Sequence, residues 1–372
     1  MSYVNAMAMS DINFRMRHTD MSKRPGKSAF NGIRTEEAGS GAAAVIETSD
    51  AELTAEQARA ARALNVWEAM ARGAYPPNTV RAWRADWTGF RRFCLEQGLS
   101  PLPASPHTVR AFIQHCMAAM KKPATIRRYL ATVARAHLAA DLLNPCASEA
   151  VRLALKEMTN KAPTRQRQAR PLGWAEIKQF LETAGKGIRA DRERALLCVA
   201  YDTMARRSEL VALDLEDLTF AKDGSGTALI RRSKTDQAGQ GAQAYLARET
   251  VKHLKRWLKV GNITEGAVFR RLVGRESFGP RLHADVIADI FKRVGRWIKL
   301  PAEEVALLSG HSIRVGATQD LLSLNIDLAS VMQAGRWKST HMPMRYGEHV
   351  LAARGGMARA AIEQGRDRTR RT

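Results

Sequence analysis

Between Ser309 and Tyr346 the chain reads SGHSIRVGATQDLLSLNIDLASVMQAGRWKSTHMPMRY, with a histidine and an arginine three residues apart near its start and a tyrosine at its end. Residues three apart on a helix share a face, so His311 and Arg314 can point at one target. Arginine offers a planar fork of donors suited to a phosphate, and histidine moves protons near neutral pH. A tyrosine beside that pair can attack phosphorus once its proton, normally held to about pH 10, is taken up. Together these residues read as a phosphoryl-transfer site acting on DNA. Singly they say little. A lone tyrosine near a C-terminus is usually packed or at the surface, a helical histidine is usually structural, and a pair such as Arg206-Arg207 is usually surface charge.

The elements that would carry such a site are mostly helical. At 372 residues the chain is long enough for two domains with separate cores, and its 59 Lys and Arg against 37 Asp and Glu leave a net charge of +22. A surplus of that size draws a protein to polyanions, nucleic acid above all. No run of 18 apolar residues predicts a membrane span, and the first thirty residues lack the uninterrupted apolar core of a signal peptide. Cys94, Cys116, Cys146 and Cys198 lie far apart without a CxxC pairing, which argues against zinc or a disulfide framework and for a reduced, cytoplasmic setting.

Residues 1–53, poor in aromatics and containing GSGAAA, read as a flexible tail. The first fifty residues balance six basic residues (Arg15, Arg17, Lys23, Arg24, Lys27, Arg34) against six acidic ones (Asp11, Asp20, Glu36, Glu37, Glu47, Asp50). The whole positive surplus therefore sits on the body that follows. Residues 54–160 read as a helical domain. After Pro76 and Pro77, Asn78 is a good N-cap, and the helix it opens runs to Gly98. Val80, Trp83, Trp87, Phe90 and Cys94 make its apolar face, with Arg81, Arg84, Arg91 and Arg92 on another. A helix starting near Pro123 turns Ile126, Leu130 and Val133 inward and carries Arg128 and Arg135. Two basic-striped helices in so positive a chain predict contact with backbone phosphates. The polar, proline-marked stretch 161–173 reads as a linker.

Beyond it, Leu218–Lys222, Thr227–Ser233 and Gln243–Ala247 read as three short strands of an antiparallel sheet within an otherwise helical domain over 174–350, with Lys234 just past the second strand. VIADIFKRVGRWIKL then repeats Ile287, Ile290, Val294 and Trp297 at helical spacing, with Lys292 and Arg296 as further candidates for DNA contact. Neither a GxxxxGK[ST] loop nor the clustered carboxylates of a two-metal site is present, so neither ATP nor a metal, nor any other cofactor, is expected.

MARRSEL at 204–210, SKT at 233–235, SGHSIRVGA at 309–317, MQAGRW at 332–337 and MRY at 344–346 resemble, in order, the motifs of the tyrosine site-specific recombinases (the phage integrase family), and within them the Cre-type branch. The resemblance spans roughly residues 60 to 365. It implies that Arg206, rather than Arg207, is the first arginine of an Arg-x-x-Glu motif with Glu209 in support. Lys234 would be the hairpin lysine, His311 and Arg314 the His-x-x-Arg pair, and Tyr346 the nucleophile. Trp337 stands where most members carry histidine, and indole donates a hydrogen bond but carries no proton. Acid-base work would then fall on His311 and Lys234, while His341 and His349 lie outside the pattern.

The same resemblance implies a mainly α fold. An N-terminal helical core-binding (SAM-like) domain and a larger catalytic domain with its small three-stranded sheet would close as a C-shaped clamp on DNA. The partner would be double-stranded DNA with paired inverted-repeat half-sites, cut and rejoined through a 3′-phosphotyrosyl intermediate and a Holliday junction. Residues 351–372, around Met357, would form a helix docked into a neighbouring subunit, giving a homotetramer on two DNA sites. Rival expectations are a type IB topoisomerase, a telomere-resolving enzyme with the same chemistry, or a DNA-binding protein without catalysis.

Overall fold

The computed structural model describes residues 43–162, 165, 167–233, 239–274 and 277–367. They form two compact units, divided between residues 166 and 167.

The first unit is helical: α1 (Ala43–Ala74), α2 (Pro77–Glu96), α3 (Pro106–Ala118), α4 (Pro123–Ala139) and α5 (Glu149–Lys161). The apolar face expected of α2 is found: Val80, Trp83, Phe90 and Cys94 are buried and Trp87 is half-buried. Ile126, Leu130 and Val133 of α4 complete the core, with Phe112 of α3 meeting Phe90 edge-on at a centroid distance of 5.1 Å. His137, fully buried, accepts the Ala104 N–H at 2.8 Å through Nε2 and donates from Nδ1 to the Val133 carbonyl at 2.8 Å. That pairing needs the neutral ring, and burial correspondingly lowers its pKa. Two boundaries differ from expectation. Part of the expected tail is helical, because α1 begins at Ala43. The second helix starts at Pro77, because proline's fixed φ suits the first helical position, and Asn78 instead accepts from Arg81 at 2.8 Å.

The second unit contains α6 (Trp174–Thr183), α7 (Ile188–Thr203) and α8 (Arg207–Ala212), then β1 (Leu218–Phe220), β2 (Gly226–Ile230) and β3 (Ala242–Leu246), and α9 (Arg248–Val260). β1, β2 and β3 pair antiparallel in that order, as expected. A second hairpin, β4 (Arg270–Val273) with β5 (Ser277–Arg281), is present besides the expected three-stranded sheet. Its strands are arginine-rich and only partly buried, so they show little apolar alternation. α10 (Val286–Trp297), α11 (Ala302–Leu307), α12 (Ser312–Ser323), α13 (Leu328–Gly335), α14 (His341–Tyr346), α15 (Glu348–Arg354) and α16 (Gly356–Glu363) follow. Ile287, Ile290 and Val294 of α10 are buried as expected, but Trp297 is 51% exposed, its indole N–H donating to Thr183 Oγ1 at 3.2 Å.

Two helices at the centre of this unit, α7 and α12, are buried on nearly every side. A helix surrounded by protein shows no one-sided apolar stripe. α12 is covered partly by the end of the expected linker. Leu172 is fully buried and its N–H donates to the Ser312 carbonyl at 3.0 Å, while Arg170 pairs with Glu176 at 2.7 Å and Glu304 at 2.9 Å. Of the expected linker over 161–173, which contains the division between the units, Lys161 belongs to α5 and the residues from Arg170 pack into the second unit. Asp320 of α12 accepts the Trp174 N–H at 2.7 Å and the Tyr201 hydroxyl at 2.8 Å, joining α6 and α7 to it. All four cysteines are free, and burial pushes Cys94 and Cys116 up to about 11. No helix among the described residues is long and apolar enough to cross a membrane.

A Cβ at Gly316 would overlap the Leu172 carbonyl. Gly316→Ala is expected to lower stability by roughly 1–3 kcal/mol, the usual scale for overpacking, seen as a reduced urea midpoint. An unchanged midpoint would contradict the close approach of this segment to α12.

Candidate active site

Arg206 is placed by the end of α7. That helix closes on Met204 in the left-handed conformation (φ 46), and Thr203 Oγ1 accepts the Ala205 N–H at 3.3 Å. Arg206 is then the N-cap of α8. Glu209, three residues on, accepts the Arg206 backbone N–H at 3.0 Å through Oε2 and the Arg206 Nη1 at 2.6 Å through Oε1. The Arg-x-x-Glu spacing therefore has a local cause: a carboxylate at the third helical position reaches back to the cap.

Glu209 also bonds Arg336, whose Nη2 lies 2.9 Å from Oε2. Arg336 follows the last residue of α13, and its Nη1 donates to the Thr203 carbonyl at 2.8 Å. Arg336 lies within the MQAGRW motif, where the family resemblance assigns it no role. Nothing local marks it; its partners are 127 and 133 positions away.

Arg314, on the first turn of α12, is 2% exposed. Its guanidinium donates to the Met204 and Gly335 carbonyls and stacks 4.3 Å from the centre of the Trp337 ring. Burial, with Arg206 and Arg336 nearby, pushes its pKa down to about 9, so it remains charged at neutral pH. Arg206 and Arg336 pair with Glu209 while Arg314 lies near without pairing to it, so these four side chains carry a local surplus of two positive charges. An anion is the natural complement to such a surplus.

Tyr346 is the last residue of α14 and is half-buried. Its carbonyl, an orphan at the helix end, accepts from Gln168 Nε2 at 3.0 Å and Gln319 Nε2 at 2.9 Å, two further residues that the motifs had not singled out. The Trp337 ring meets its ring nearly perpendicularly, centroids 6.0 Å apart. Burial raises the phenol pKa, while Arg314 and Arg206 oppose that rise. Gly335 and Gly347 keep these contacts close, since a Cβ would overlap the Trp337 ring at one and Leu322 at the other.

His311 is the N-cap of α12, half-buried, with its backbone N–H donating to Ser309 Oγ at 3.3 Å. Lys234 lies outside the described residues. Ser233, just before it, helps line a cavity of about 270 Å³ whose wall includes Arg336 and Trp337. Arg207 pairs with Asp285 at 2.5 Å, and His341 and His349 are exposed.

In the first unit Arg81, Arg84, Arg91 and Arg92 are exposed on α2, Arg84 paired with Glu68 and Arg92 with Glu96 at 3.8 Å. Arg135 is half-buried on α4. Arg128 is largely withdrawn from solvent, bonded at 2.8 Å to buried Asp86, whose carboxyl burial pushes up to about 6. On α10 Lys292 is half-buried and Arg296 exposed. Among the described residues no three His, Cys, Asp or Glu side chains group to hold a metal ion.

The model of the phage integrase family matches residues 172–352, the span holding every residue of this site except Gln168. The chain is 30% identical over 283 residues to an integrase/recombinase xerD homolog of Selenomonas ruminantium, covering 72% of this chain and 81% of that protein. The chain belongs to the phage integrase family of tyrosine recombinases. It is also 25% identical over 298 residues to the recombinase cre of Escherichia phage P1, covering 76% of this chain and 85% of that one. A solved structure of the Tn1549 transposon integrase in complex with circular intermediate DNA shares the fold, with a TM-score of 0.54 at 16% identity, over 82% of this chain and 99% of that chain. This recombinase is therefore a site-specific enzyme of the kind that works through a DNA-cleaving tyrosine.

A cluster of this charge is expected to bind an anion before any DNA is present. Inorganic phosphate is expected to raise the recombinase's melting temperature by the linkage RT ln(1 + [L]/Kd), and Arg206→Gln to remove most of that rise. An equal rise in both proteins would show the anion bound elsewhere.

Proposed function

We propose that this recombinase cuts and rejoins paired inverted-repeat sites in double-stranded DNA, with Tyr346 as the nucleophile. The observation that carries the assignment is the arginine cluster. Arg314 is held, buried and charged, beside Arg206, and both bias the Tyr346 phenol toward its anion.

Arg206 and Arg314 hold the non-bridging oxygens of the scissile phosphate and stabilise the charge that grows there in the transition state. Loss of one such donor is worth about 100- to 1000-fold in rate. Burial outweighs Arg314, Arg206 and Arg345 and keeps Tyr346 protonated, so attack requires a base. His311, three residues before Arg314, takes that proton. The phenolate oxygen attacks phosphorus, the P–O5′ bond breaks, and Lys234 gives its proton to the departing 5′-oxygen. A 3′-phosphotyrosyl bond and a free 5′-hydroxyl result. The reverse step, with a 5′-hydroxyl from another strand, makes the Holliday junction. The phosphodiester's energy is conserved in the tyrosyl link, and neither ATP nor a metal enters the scheme. Trp337 donates its indole N–H to a phosphate oxygen, and Glu209 fixes Arg206.

The first unit supplies contacts to the DNA backbone through the exposed stripe Arg81, Arg84, Arg91 and Arg92 and through Arg135, and the second unit adds Lys292 and Arg296 of α10. Arg128 serves inside the unit against Asp86 and reaches phosphate only if that pair opens. On α16, Met357 is 75% and Ile362 64% exposed, an apolar pair suited to a neighbouring subunit. Four subunits joined in this way, head to tail, form a ring on two DNA sites. The four free thiols suit a reducing cytoplasm.

Selection of binding sites from random duplexes is expected to return an inverted repeat. On a nicked duplex built from it, Tyr346→Phe should bind DNA normally and form no covalent adduct; adducts that persist would remove Tyr346 from the role. Deleting residues 355–372 should leave half-site binding intact while reducing assembly of two-site complexes. Undiminished assembly would mean that the subunits join through another surface.

A further inference from the structure

Arg336 occupies a position that helix geometry favours giving to glycine. α13 ends in a Schellman arrangement, with the Arg336 N–H donating to the Gln333 carbonyl at 3.0 Å and the Trp337 N–H to the Met332 carbonyl at 2.9 Å. Residue 336 is left-handed (φ 54, ψ 45), a conformation open to glycine and disfavoured by a Cβ. A non-glycine residue held there is the kind of backbone outlier from which a functional hypothesis can start.

The side chain supplies one. Oε1 of Glu209 takes Arg206 Nη1 at 2.6 Å, while Oε2 takes the Arg206 backbone N–H at 3.0 Å and Arg336 Nη2 at 2.9 Å. An arginine and a carboxylate left to themselves tend to close a fork of two parallel bonds. With Oε2 open, Arg206 could turn a second guanidinium nitrogen onto Glu209 and withdraw it from the anion. Arg336 is fastened from its other edge by the Thr203 carbonyl at 2.8 Å, so it stands on Oε2 without needing Arg206.

We propose that Arg336 is a positioning residue: by occupying Oε2 of Glu209 it prevents a two-bond fork with Arg206 and keeps the remaining Arg206 donors turned to the scissile phosphate. This role rests on Arg206 being a phosphate ligand. Arg336 also raises the surplus of the cluster from one positive charge to two. A phosphodiester under attack by a phenolate carries two negative charges, so the added charge favours the transition state over bound substrate.

The test is single-turnover adduct formation on nicked duplexes built from the selected site, alongside DNA affinity and melting temperature. Arg336→Gly suits the left-handed backbone and is expected to slow adduct formation about 10- to 100-fold, the scale seen when a partner orienting a functional group is lost, while DNA affinity holds. Adding Glu209→Gln to Arg336→Gly should recover part of that rate, because a neutral amide cannot hold Arg206 in an ion-paired fork. A purely structural role for Arg336 would instead make the double variant no faster. Arg336→Lys and Arg336→Gln, equally strained in the backbone, serve if the glycine variant does not fold: lysine should react faster, because only it puts a charge on Oε2.

A wild-type rate in Arg336→Gly, a double variant no faster than the single, or equal rates for lysine and glutamine would each overturn the proposal. If the wild-type protein forms no Tyr346-dependent adduct, the active-site reading falls first and this one with it.

Discussion

A buried, charged arginine constrains the whole second unit. Arg314 is inside the protein, where an isolated charge is strongly disfavoured, and among the described residues no carboxylate pairs with it. What it has is the ends of two helices. The Met204 carbonyl lies at the C-terminus of α7 and the Gly335 carbonyl at that of α13, where peptide dipoles concentrate negative potential. The face of Trp337 adds its quadrupole. α7, α12 and α13 must therefore meet with little tolerance. Gly316 lets the chain at Leu172 lie on α12, and Gly335 admits the Trp337 ring.

These partners stabilise the guanidinium without neutralising it. Glu209, the carboxylate of the cluster, is divided between Arg206 and Arg336, so the pocket stays electropositive. A buried cationic pocket is poor design for stability alone and good design for holding a phosphodiester whose charge increases during reaction. Tyr346 responds to the same field in the opposite sense, since the arginines favour the phenolate that burial disfavours. Burial has the larger effect, so the phenol pKa lies above its ordinary value.

Position is controlled as closely as charge. The tyrosine ends a short helix, and a chain end of that kind would fray without partners. Gln168 and Gln319 both donate to its carbonyl, one from the segment before α6 and the other from α12. Arg314 and Gln319 lie on the same central helix, so α12 sets the buried guanidinium and the Tyr346 carbonyl in one frame. The first unit follows a different logic. It packs an ordinary aromatic and aliphatic core, keeps the α2 arginines outside, and withdraws Arg128 against Asp86.

Much of this was legible in the linear chain because its causes are local. The face of α2 follows from apolar spacing, the three-stranded sheet from alternation and turns, and the Arg206–Glu209 bond from capping three residues apart. Ordered motifs single out Arg206, Glu209, His311, Arg314, Trp337 and Tyr346 as candidates. Arg336, Gln168 and Asp320 were not legible, because each acts on partners more than a hundred residues away. The docking of residues 170–173 onto α12 was hidden in the same way, behind a polar, proline-marked stretch that locally resembles a linker. The basic stripe around Arg128 shows the converse limit, since spacing placed that arginine on a helix face and could not reveal Asp86 behind it. Spacing along the chain determines helices, strands and caps. Which charges share a carboxylate, and which helix ends converge on a buried guanidinium, are decided only when distant segments pack, because electrostatic energy depends on separation in space and on burial.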